Sequence, residues 1–300
     1  MPSLKVELLG LKLRNPTVLA SGILDSTGTS MKRVVVKGGV GAVVTKSISV
    51  TPRDGHKNPS VIAIEDGLLN AIGLANPGYK EFRSEIETAK TADAPVIGSV
   101  FGQSPDEFAE VARALSDYGV DAIELNLSCP NVGGVKYAHH PDLSREAVAA
   151  VKAKVKKPII AKLSAEVPDI VEIAGACMDG GAKGITAINT VRAMKIDIEA
   201  KMPILANKTG GLSGTPIKPI AVRCVYEIAK ELDVPVMGCG GIASGEDAVE
   251  FLMAGARAVQ IGTAVYSRGI GVFRKVTKEM EDFMEREGYG AVEELIGAAL

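Results

Sequence analysis

Residues 235–265, PVMGCGGIASGEDAVEFLMAGARAVQIGTAV, contain two short apolar runs with a helical pattern between them. The runs Pro235–Cys239 and Ala258–Ile261 are apolar throughout rather than alternating, which is typical of parallel strands buried on both faces. Ser244 and Asp247 resemble a capping box in which Asp takes the place of Glu, so a helix is expected to start there. This stretch therefore predicts one β–α–β unit with parallel strands.

The same alternation of short apolar runs and longer helical patterns recurs along the chain. Eight strands are predicted, at Pro16–Ala20, Gly41–Thr45, Pro95–Val100, Asp121–Leu127, Pro158–Leu163, Gly184–Asn189, Pro235–Cys239 and Ala258–Ile261. The helical patterns between them include Pro105–Tyr118, Ser144–Val155, Pro168–Gly180, Pro216–Leu232 and Ser244–Ala254. Eight such units in about 280 residues favour an α/β fold, a closed (β/α)8 TIM barrel, over an open doubly wound sheet.

Three segments fall outside these repeating units. The stretch KVELLGLKL (5–13) is expected to form an N-terminal β-hairpin under the barrel floor. The connections 46–94 and 190–234 are longer than a loop and a helix require. We expect them to be long loops at the C-terminal face, where barrels build their active sites. Because the sequence contains no linker, residues 1–300 are predicted to form a single domain.

The composition excludes several classes of protein. Hydrophobic residues make up 46% of the chain, and 34 basic residues are balanced by 36 acidic ones, which excludes a disordered chain. The net charge of −2 and the aromatic content of 4% argue against a nucleic-acid-binding surface. No apolar run approaches the length of about 18 residues that a membrane span needs. We therefore expect neither a nucleic acid nor a membrane among the partners.

The cysteines and histidines do not form a motif that binds metal. Cys129, Cys177, Cys224 and Cys239 include no CxxC pair, so no single segment could hold zinc or an iron–sulfur cluster. His139 and His140 are adjacent and cannot share one face of a helix or strand. Few cysteines in a chain of this length, with no signal peptide, favour reduced thiols and a cytoplasmic location.

Glycine turns follow the last two predicted strands, at GGI (240–242) and IGTA (261–264). Glycine lets the backbone approach a phosphate closely, and the start of a following helix supplies N–H donors. These two strands are also the usual position of a phosphate site in such barrels. The turns therefore predict phosphate binding; the alternative is two tight turns that bind nothing.

Two lysines, Lys46 and Lys162, lie at the ends of short apolar strands. Lysine is rarely buried without a partner, so one or both are expected to face an anionic group inside the barrel mouth. A reduced flavin is one such group, and a surface lysine at the start of a loop is the alternative.

Four asparagines, Asn70, Asn126, Asn131 and Asn189, also fall at or near predicted strand ends or in the long loop after the second strand. Each amide offers a donor and an acceptor, which suits the alternating N–H and C=O edge of a pyrimidine or flavin ring. Any one of them alone could be a turn residue.

Cys129 follows the fourth predicted strand in a polar segment. Because an unperturbed thiol has a pKa of about 8.5, a positioned cysteine can act as a base or nucleophile near neutral pH. The alternative is a small buried hydrophobic residue.

Several of these segments together resemble the soluble (class 1) dihydroorotate dehydrogenases. They are ELNLSCPNV (124–132), NAIGLANPG (70–78), INT (188–190), LANKTGGLSG (205–214), IKP (217–219) and GCGGI (238–242). The resemblance covers about Asn15 to Ser267. The segments around SCPN and TGGLSG are specific, whereas the glycine turns alone would not be.

The resemblance implies an FMN-dependent oxidation of (S)-dihydroorotate to orotate in de novo pyrimidine biosynthesis. Cys129 would be the base that removes the C5 proton while a hydride passes to flavin N5. The substrate would be bound by Lys46, Asn70, Ile72, Gly73, Leu74, Asn126, Asn131, Asn189 and Thr190. FMN would be bound by Ala20, Ser21, Gly22, Lys46, Ser47, Asn126, Lys162, Ile188, Gly214, Gly240, Gly241, Gly262 and Thr263.

The segments also bear on the subclass. Membrane-associated members of the family typically have Ser where Cys129 stands. SCPNVGG and LANKTGGLSG look most like the class 1B, NAD-linked enzymes, which implies a partner subunit carrying FAD and a [2Fe–2S] cluster, and a heterotetramer around a homodimer. The alternatives are a fumarate-linked class 1A enzyme, a related dihydropyrimidine-oxidising flavoenzyme, or a phosphate-binding barrel without flavin. The segment 133–144 departs from the family's usual pattern.

Overall fold

The computed structural model describes residues 2–128 and 137–300. In this part of the chain the strands are β1 (Val6–Leu8), β2 (Leu11–Leu13), β3 (Thr17–Leu19), β4 (Ala42–Val44), β5 (Val61–Ile64), β6 (Gly67–Asn70), β7 (Val96–Val100), β8 (Ala122–Asn126), β9 (Ile159–Leu163), β10 (Gly184–Ala187), β11 (Val191–Ala193), β12 (Ile196–Asp197), β13 (Met202–Pro203), β14 (Gly210–Gly214), β15 (Val236–Cys239) and β16 (Ala256–Ile261). The α-helices are α1 (Gly28–Arg33), α2 (Arg83–Ala89), α3 (Pro105–Asp117), α4 (Pro141–Lys152), α5 (Ile170–Asp179), α6 (Lys218–Glu231), α7 (Gly245–Met253), α8 (Ala264–Arg268) and α9 (Val272–Glu287).

Eight of these strands form a closed barrel in chain order: β3, β4, β7, β8, β9, β10, β15 and β16. All neighbours are parallel, and β16 pairs with β3 through Val259↔Thr17 and Gln260↔Val18. Each of the eight predicted strands contains or overlaps one of them. The predicted (β/α)8 barrel is therefore confirmed, and the open sheet is wrong because the first and last barrel strands pair.

The barrel strands are buried on both faces, as their uniformly apolar sequences predict. Every residue of β7, β8 and β9 is buried. The helices around them begin where the capping signals lie. The Ser104 side chain accepts from the Glu107 N–H at the start of α3, and Ser244 and Asp247 form a reciprocal capping box at α7.

One predicted helix start is wrong. The helix expected from Ser144 begins at Pro141, because proline fits the first helical turn, where its missing N–H costs no hydrogen bond. Ser144 does not cap this helix: it is fully buried, and its hydroxyl donates to the Tyr137 carbonyl at 2.8 Å.

The predicted N-terminal hairpin is present as β1 and β2, joined at Leu9 and Gly10, which both have positive φ. Its tip lies at the barrel floor, because the Leu9 side chain approaches Gly184, the first residue of β10. A Cβ added at Gly184 would meet Leu9 at 3.0 Å. Leu8 and Leu13 of the hairpin are buried in the main hydrophobic core. The hairpin therefore closes the end of the barrel opposite the strand C-termini.

The two long connections are not simple loops, which corrects the sequence prediction. They carry the antiparallel sheet β11–β14–β6–β5 and the pair β12–β13. The segment GGLSG has the composition of a loop, but the neighbouring chains leave room only for glycine. A Cβ at Gly211 would lie 2.0 Å from the Thr190 hydroxyl oxygen, and one at Gly210 would lie 2.5 Å from the Asn70 carbonyl oxygen. This second sheet stands at the C-terminal end of the barrel.

None of the helices in the described ranges is both long and apolar enough to cross a membrane.

Replacing Leu8 with alanine should test whether the hairpin stabilises the barrel. We expect Leu8→Ala to lower the free energy of unfolding by about 2–4 kcal/mol, since the side chain is 1% exposed and its loss leaves a cavity. Glu7→Ala, at the adjacent exposed position, should change it by less than about 0.5 kcal/mol. Urea unfolding of both variants measures the difference, and equal effects would contradict the packing of the hairpin against the floor.

Candidate active site

A cavity of about 360 Å³ opens at the C-terminal ends of the barrel strands. It brings together every predicted site residue that lies in the described ranges: Ala20, Ser21, Gly22, Lys46, Ser47, Asn70, Ile72, Gly73, Leu74, Asn126, Lys162, Ile188, Asn189, Thr190, Gly214, Gly240, Gly241, Gly262 and Thr263. Cys129, the predicted base, and Asn131, a predicted substrate-binding residue, lie outside the described residues. The sequence therefore locates the cavity, and the roles of its residues stay predictions.

The two predicted lysines are both buried at this cavity, so neither is a surface residue at a loop start. Lys46 is 8% exposed and Lys162 is 5% exposed. Lys46 makes no ion pair with any carboxylate in the described part of the chain. A buried ammonium without an ion-pair partner is costly, which favours an anionic ligand at this position.

The sequence gives no signal for Asp25, whose carboxylate organises the loop between β3 and α1. Its Oδ2 accepts from the Gly22 N–H at 2.6 Å and from the Ser21 hydroxyl at 3.3 Å. Burial raises the pKa of Asp25, while the charge of Lys46 and the Gly22 N–H lower it by less. Asp25 thus fixes Ser21 and Gly22, which line the cavity, without reaching the cavity itself.

Side-chain amides and hydroxyls form a connected cluster at one wall of the cavity. Asn126 donates to the Ser47 hydroxyl at 3.1 Å, and its Oδ1 accepts from Asn189 Nδ2 at 3.3 Å. Asn189 also donates to the Ser128 hydroxyl at 2.8 Å, and Ser47 lies 2.9 Å from Ser99. Ser128 belongs to the SCPN segment, whereas Ser99 lies in no motif that the sequence analysis identified. The cluster holds the predicted asparagines in defined orientations around one space.

The second sheet contributes further residues to the lining of the cavity. Asn70, at the end of β6, donates through Nδ2 to the Gly211 carbonyl of β14 at 3.1 Å. Thr190 directly precedes β11, and its side chain packs against Gly211. A Cβ at Gly211 would displace the Thr190 side chain. Asn70 and Thr190 therefore reach the cavity because the long connections form a sheet.

The glycine turn after β15 offers fewer free backbone N–H groups to a phosphate than the sequence suggests. The first N–H groups of α7 already bind carboxylates of this chain: Ala243 and Ser244 donate to Asp247, and Gly245 donates to Glu279. The turn that precedes these residues contains Gly240 and Gly241, whose φ angles are +134° and +78°. Neither residue has a side chain that would cover its backbone. A Cβ at Gly241 would lie 2.7 Å from the Lys218 Cβ, so glycine is required there. At the first of the two predicted turns, a phosphate would therefore meet the backbone of Gly240 and Gly241 rather than the start of α7, while the second turn, IGTA (261–264), stays a prediction.

The described cysteines differ in their surroundings. Burial raises the pKa of Cys177 to about 12 and that of Cys224 to about 11, so both thiols are neutral at physiological pH. Cys239, at the end of β15, lines the cavity. Burial raises its pKa, and the neighbouring Lys162 lowers it by less.

The model of the dihydroorotate dehydrogenase family matches residues 3–284. The chain belongs to this family. It is 50% identical to the catalytic subunit of dihydroorotate dehydrogenase B (NAD+) of Methanocaldococcus jannaschii, over 99% of this chain and 98% of that protein. The subunits of the same name from Methanosarcina mazei and Pyrococcus abyssi are 51% and 50% identical, over 97% and 99% of this chain and 94% and 99% of theirs. The recognition of a class 1B member from sequence is confirmed.

A solved structure of the Eimeria tenella enzyme, described as DHODH in complex with ferulenol, has the same fold. It superposes with a TM-score of 0.87 over 99% of this chain and 89% of that one, at 22% identity. Identity this low supports the barrel alone.

The buried carboxyl of Asp25 should make stability depend on pH. Because its pKa is raised on folding, its contribution is fully present below the ordinary aspartate pKa of about 3.9 and is lost as pH rises through the folded value. Asp25→Asn stays neutral and can still accept from Gly22. As the pH rises from the ordinary aspartate pKa to the raised pKa of the folded protein, we expect the free energy of unfolding of the variant to increase relative to that of the wild type.

Urea unfolding at a series of pH values checks this dependence on Asp25. The exposed Asp179→Asn variant, at the end of α5, is the control and should follow the wild type. Identical pH slopes for Asp25→Asn and the wild type would contradict a raised pKa.

Proposed function

We propose that this chain is the catalytic subunit of an NAD-linked dihydroorotate dehydrogenase, which oxidises (S)-dihydroorotate to orotate in pyrimidine biosynthesis. The observation that carries the proposal is the single cavity that joins two buried lysines, Lys46 and Lys162, to three amides, Asn70, Asn126 and Asn189. Kinship of about 50% over nearly the full length of three catalytic subunits supports the same assignment.

The donor set of the cavity is suited to FMN. Lys162 offers positive charge at the closed end of the cavity, and the Gly240–Gly241 turn leaves backbone open to a phosphate. Thr263 donates to Ser213 at 2.7 Å and joins this turn to β14. When bound, FMN would accept a hydride from the substrate and release the electrons to an acceptor.

The substrate is a planar ring with a carboxylate, and two kinds of group meet those needs. Lys46, which pairs with no carboxylate in the part of the chain that the structure describes, is placed to bind the substrate carboxylate. Asn70 and Asn126 each use one of their two amide N–H groups within the described residues, so the other N–H can meet an acceptor on the ring, and Asn189 holds Asn126 in place. A dihydropyrimidine that lacks the carboxylate would leave Lys46 buried and unpaired, which favours dihydroorotate over dihydrouracil.

Cys129 is proposed as the base that takes the C5 proton. It directly follows Ser128, which accepts from Asn189 within the amide cluster. The family resemblance supplies this role, since the residue lies outside the described ranges. A base at this position would remove a proton that otherwise has no acceptor as the hydride leaves C6.

We expect the wild-type protein to be yellow and to bleach when dihydroorotate is added without oxygen. Cys129→Ala should keep FMN but lose about 10²–10⁴-fold in the rate of bleaching, the range that one general base contributes. Cys224→Ala, at a buried cysteine of α6 away from the cavity, is the control and should bleach normally. Stopped-flow absorbance measures both rates.

Cys129→Ser gives a pH test of the same role. A hydroxyl is a far weaker acid than a thiol, so the serine variant should be slow at neutral pH and recover as the pH rises. Unchanged bleaching in Cys129→Ala, or a flat pH profile in Cys129→Ser, would remove Cys129 from the mechanism. A colourless wild-type protein would overturn the FMN assignment.

The electrons are proposed to leave through a partner subunit that carries FAD and a [2Fe–2S] cluster, in a cytoplasmic heterotetramer built on a homodimer. The relatives are themselves named catalytic subunits of an NAD+ enzyme. The described residues hold no group of three or more cysteine, histidine or carboxylate side chains that could bind a metal ion.

Electron acceptors distinguish this proposal from the fumarate-linked alternative. After anaerobic reduction by dihydroorotate, the isolated chain should reoxidise slowly with either NAD+ or fumarate. Addition of the co-purified partner should accelerate reoxidation by NAD+ by at least about tenfold, because a new route for electrons is then present. Rapid reoxidation of the isolated chain by fumarate would instead establish the class 1A reaction.

A further inference from the structure

A chain of polar contacts crosses the barrel interior directly below the cavity. Lys162 of β9 donates to Gln260 Oε1 of β16 at 2.8 Å, and Gln260 Nε2 donates to Glu124 Oε2 of β8 at 2.6 Å. Thr186 of β10 donates to the same carboxylate oxygen at 2.9 Å. Four barrel strands therefore meet at one buried carboxylate.

The ammonium group of Lys162 determines which atoms donate and which accept in these hydrogen bonds. An ammonium group can only donate, so Gln260 must turn its carbonyl oxygen towards Lys162 and its NH2 group towards Glu124. Glu124 Oε2 therefore accepts both from Gln260 and from Thr186. The contacts form one ordered path from the carboxylate to the ammonium.

Glu124 is also the carboxylate that forms an ion pair with Lys162. It is 0% exposed, and its Oε1 accepts no hydrogen bond from the described residues. That oxygen lies 3.8 Å from Lys162 Nζ, the one ion pair that the lysine makes within the described ranges. A buried carboxylate is costly unless it is paired, so its position below the lysine calls for an electrostatic reason.

Two other ionisable groups, Cys239 and Asp25, also act on Lys162. Burial lowers the pKa of Lys162, whereas Cys239, Glu124 and Asp25 raise it, and the net pKa lies above the ordinary lysine value. Burial raises the pKa of the Cys239 thiol and of the Asp25 carboxyl, which weakens both as anions.

We propose that Glu124 is a positioning residue that acts through Gln260 and Lys162. It holds Lys162 as an oriented ammonium against the flavin, so that the lysine stays protonated in both redox states of the cofactor. The inference rests on the proposed function, because it requires FMN in the cavity. It adds a group that does not touch the cofactor and yet sets how many protons accompany its reduction.

The Glu124→Gln variant of the FMN-loaded protein tests this role. Without the carboxylate, burial should deprotonate Lys162 while the flavin is oxidised, and the negative charge of the reduced flavin should draw the proton back. The variant should therefore take up as much as about one more proton per two electrons than the wild type in the neutral to alkaline range. Spectroelectrochemical titration against pH gives this count from the slope of the midpoint potential.

Three further variants separate the role from general damage. Glu124→Asp keeps the charge and should keep the wild-type slope. In a Lys162→Met background the Glu124→Gln change should leave the slope unaltered, because the titrating group is gone. Glu285→Gln, at an exposed position of α9, should match the wild type.

If the midpoint potential of Glu124→Gln changes with pH by the same slope as that of the wild type, the inference is overturned while the proposed function stands. A constant difference in potential between the two proteins would not alter this conclusion. If Glu124→Gln fails to retain FMN and Glu124→Asp retains it with the wild-type slope, the need for the charge is supported. If neither retains it, Thr186→Val, which removes one donor to the carboxylate, must show a steeper slope or the inference fails. A wild-type protein that binds no FMN would overturn both proposals.

Discussion

The pairing of β16 with β3 is the constraint on which the site depends. Each parallel strand ends at the same edge of its sheet, but only closure turns that edge into a ring. Lys46 after β4 and Lys162 in β9 come from nearly opposite sides of the ring, and they share a cavity because β16 and β3 join. The hairpin β1–β2 closes the other end of the barrel, so the one open mouth is the one that carries polar groups.

Much of the mouth could be predicted because its residues follow the strands directly. Lys46, Asn126 and Gly262 each stand at the end of a short apolar run, and the barrel hypothesis then places them together. The segment NAIGLANPG (70–78) predicts a role for Asn70 but does not predict the strand β6 that carries it. This strand pairs antiparallel with β14, whose sequence GGLSG has the composition of a loop. The need for glycine in β14 becomes evident only from the close contact of Gly211 with Thr190.

The groups below the mouth could not be found from the sequence because their partners are distant in it. Gln260 and Glu124 are 136 positions apart, and their contact depends on the closed barrel. Asp25 looks like an ordinary loop residue until its carboxylate is seen to accept from Gly22. A single sequence shows which residues end strands, but it does not show which side chains face each other across the interior.

The interior network changes how the charges of the site should be understood. A barrel core normally contains layers of branched apolar side chains, and here one layer holds Glu124, Thr186 and Gln260 instead. Since a fully apolar layer would cost less to bury, the polar layer must serve the groups above it. Lys162 has that layer beneath it, whereas Lys46 forms no ion pair in the described ranges. One lysine therefore already has a carboxylate partner in the protein, and the other is left to pair with a ligand. Under the proposed roles, the permanent ion pair would lie on the cofactor side of the cavity and the exchangeable one on the substrate side.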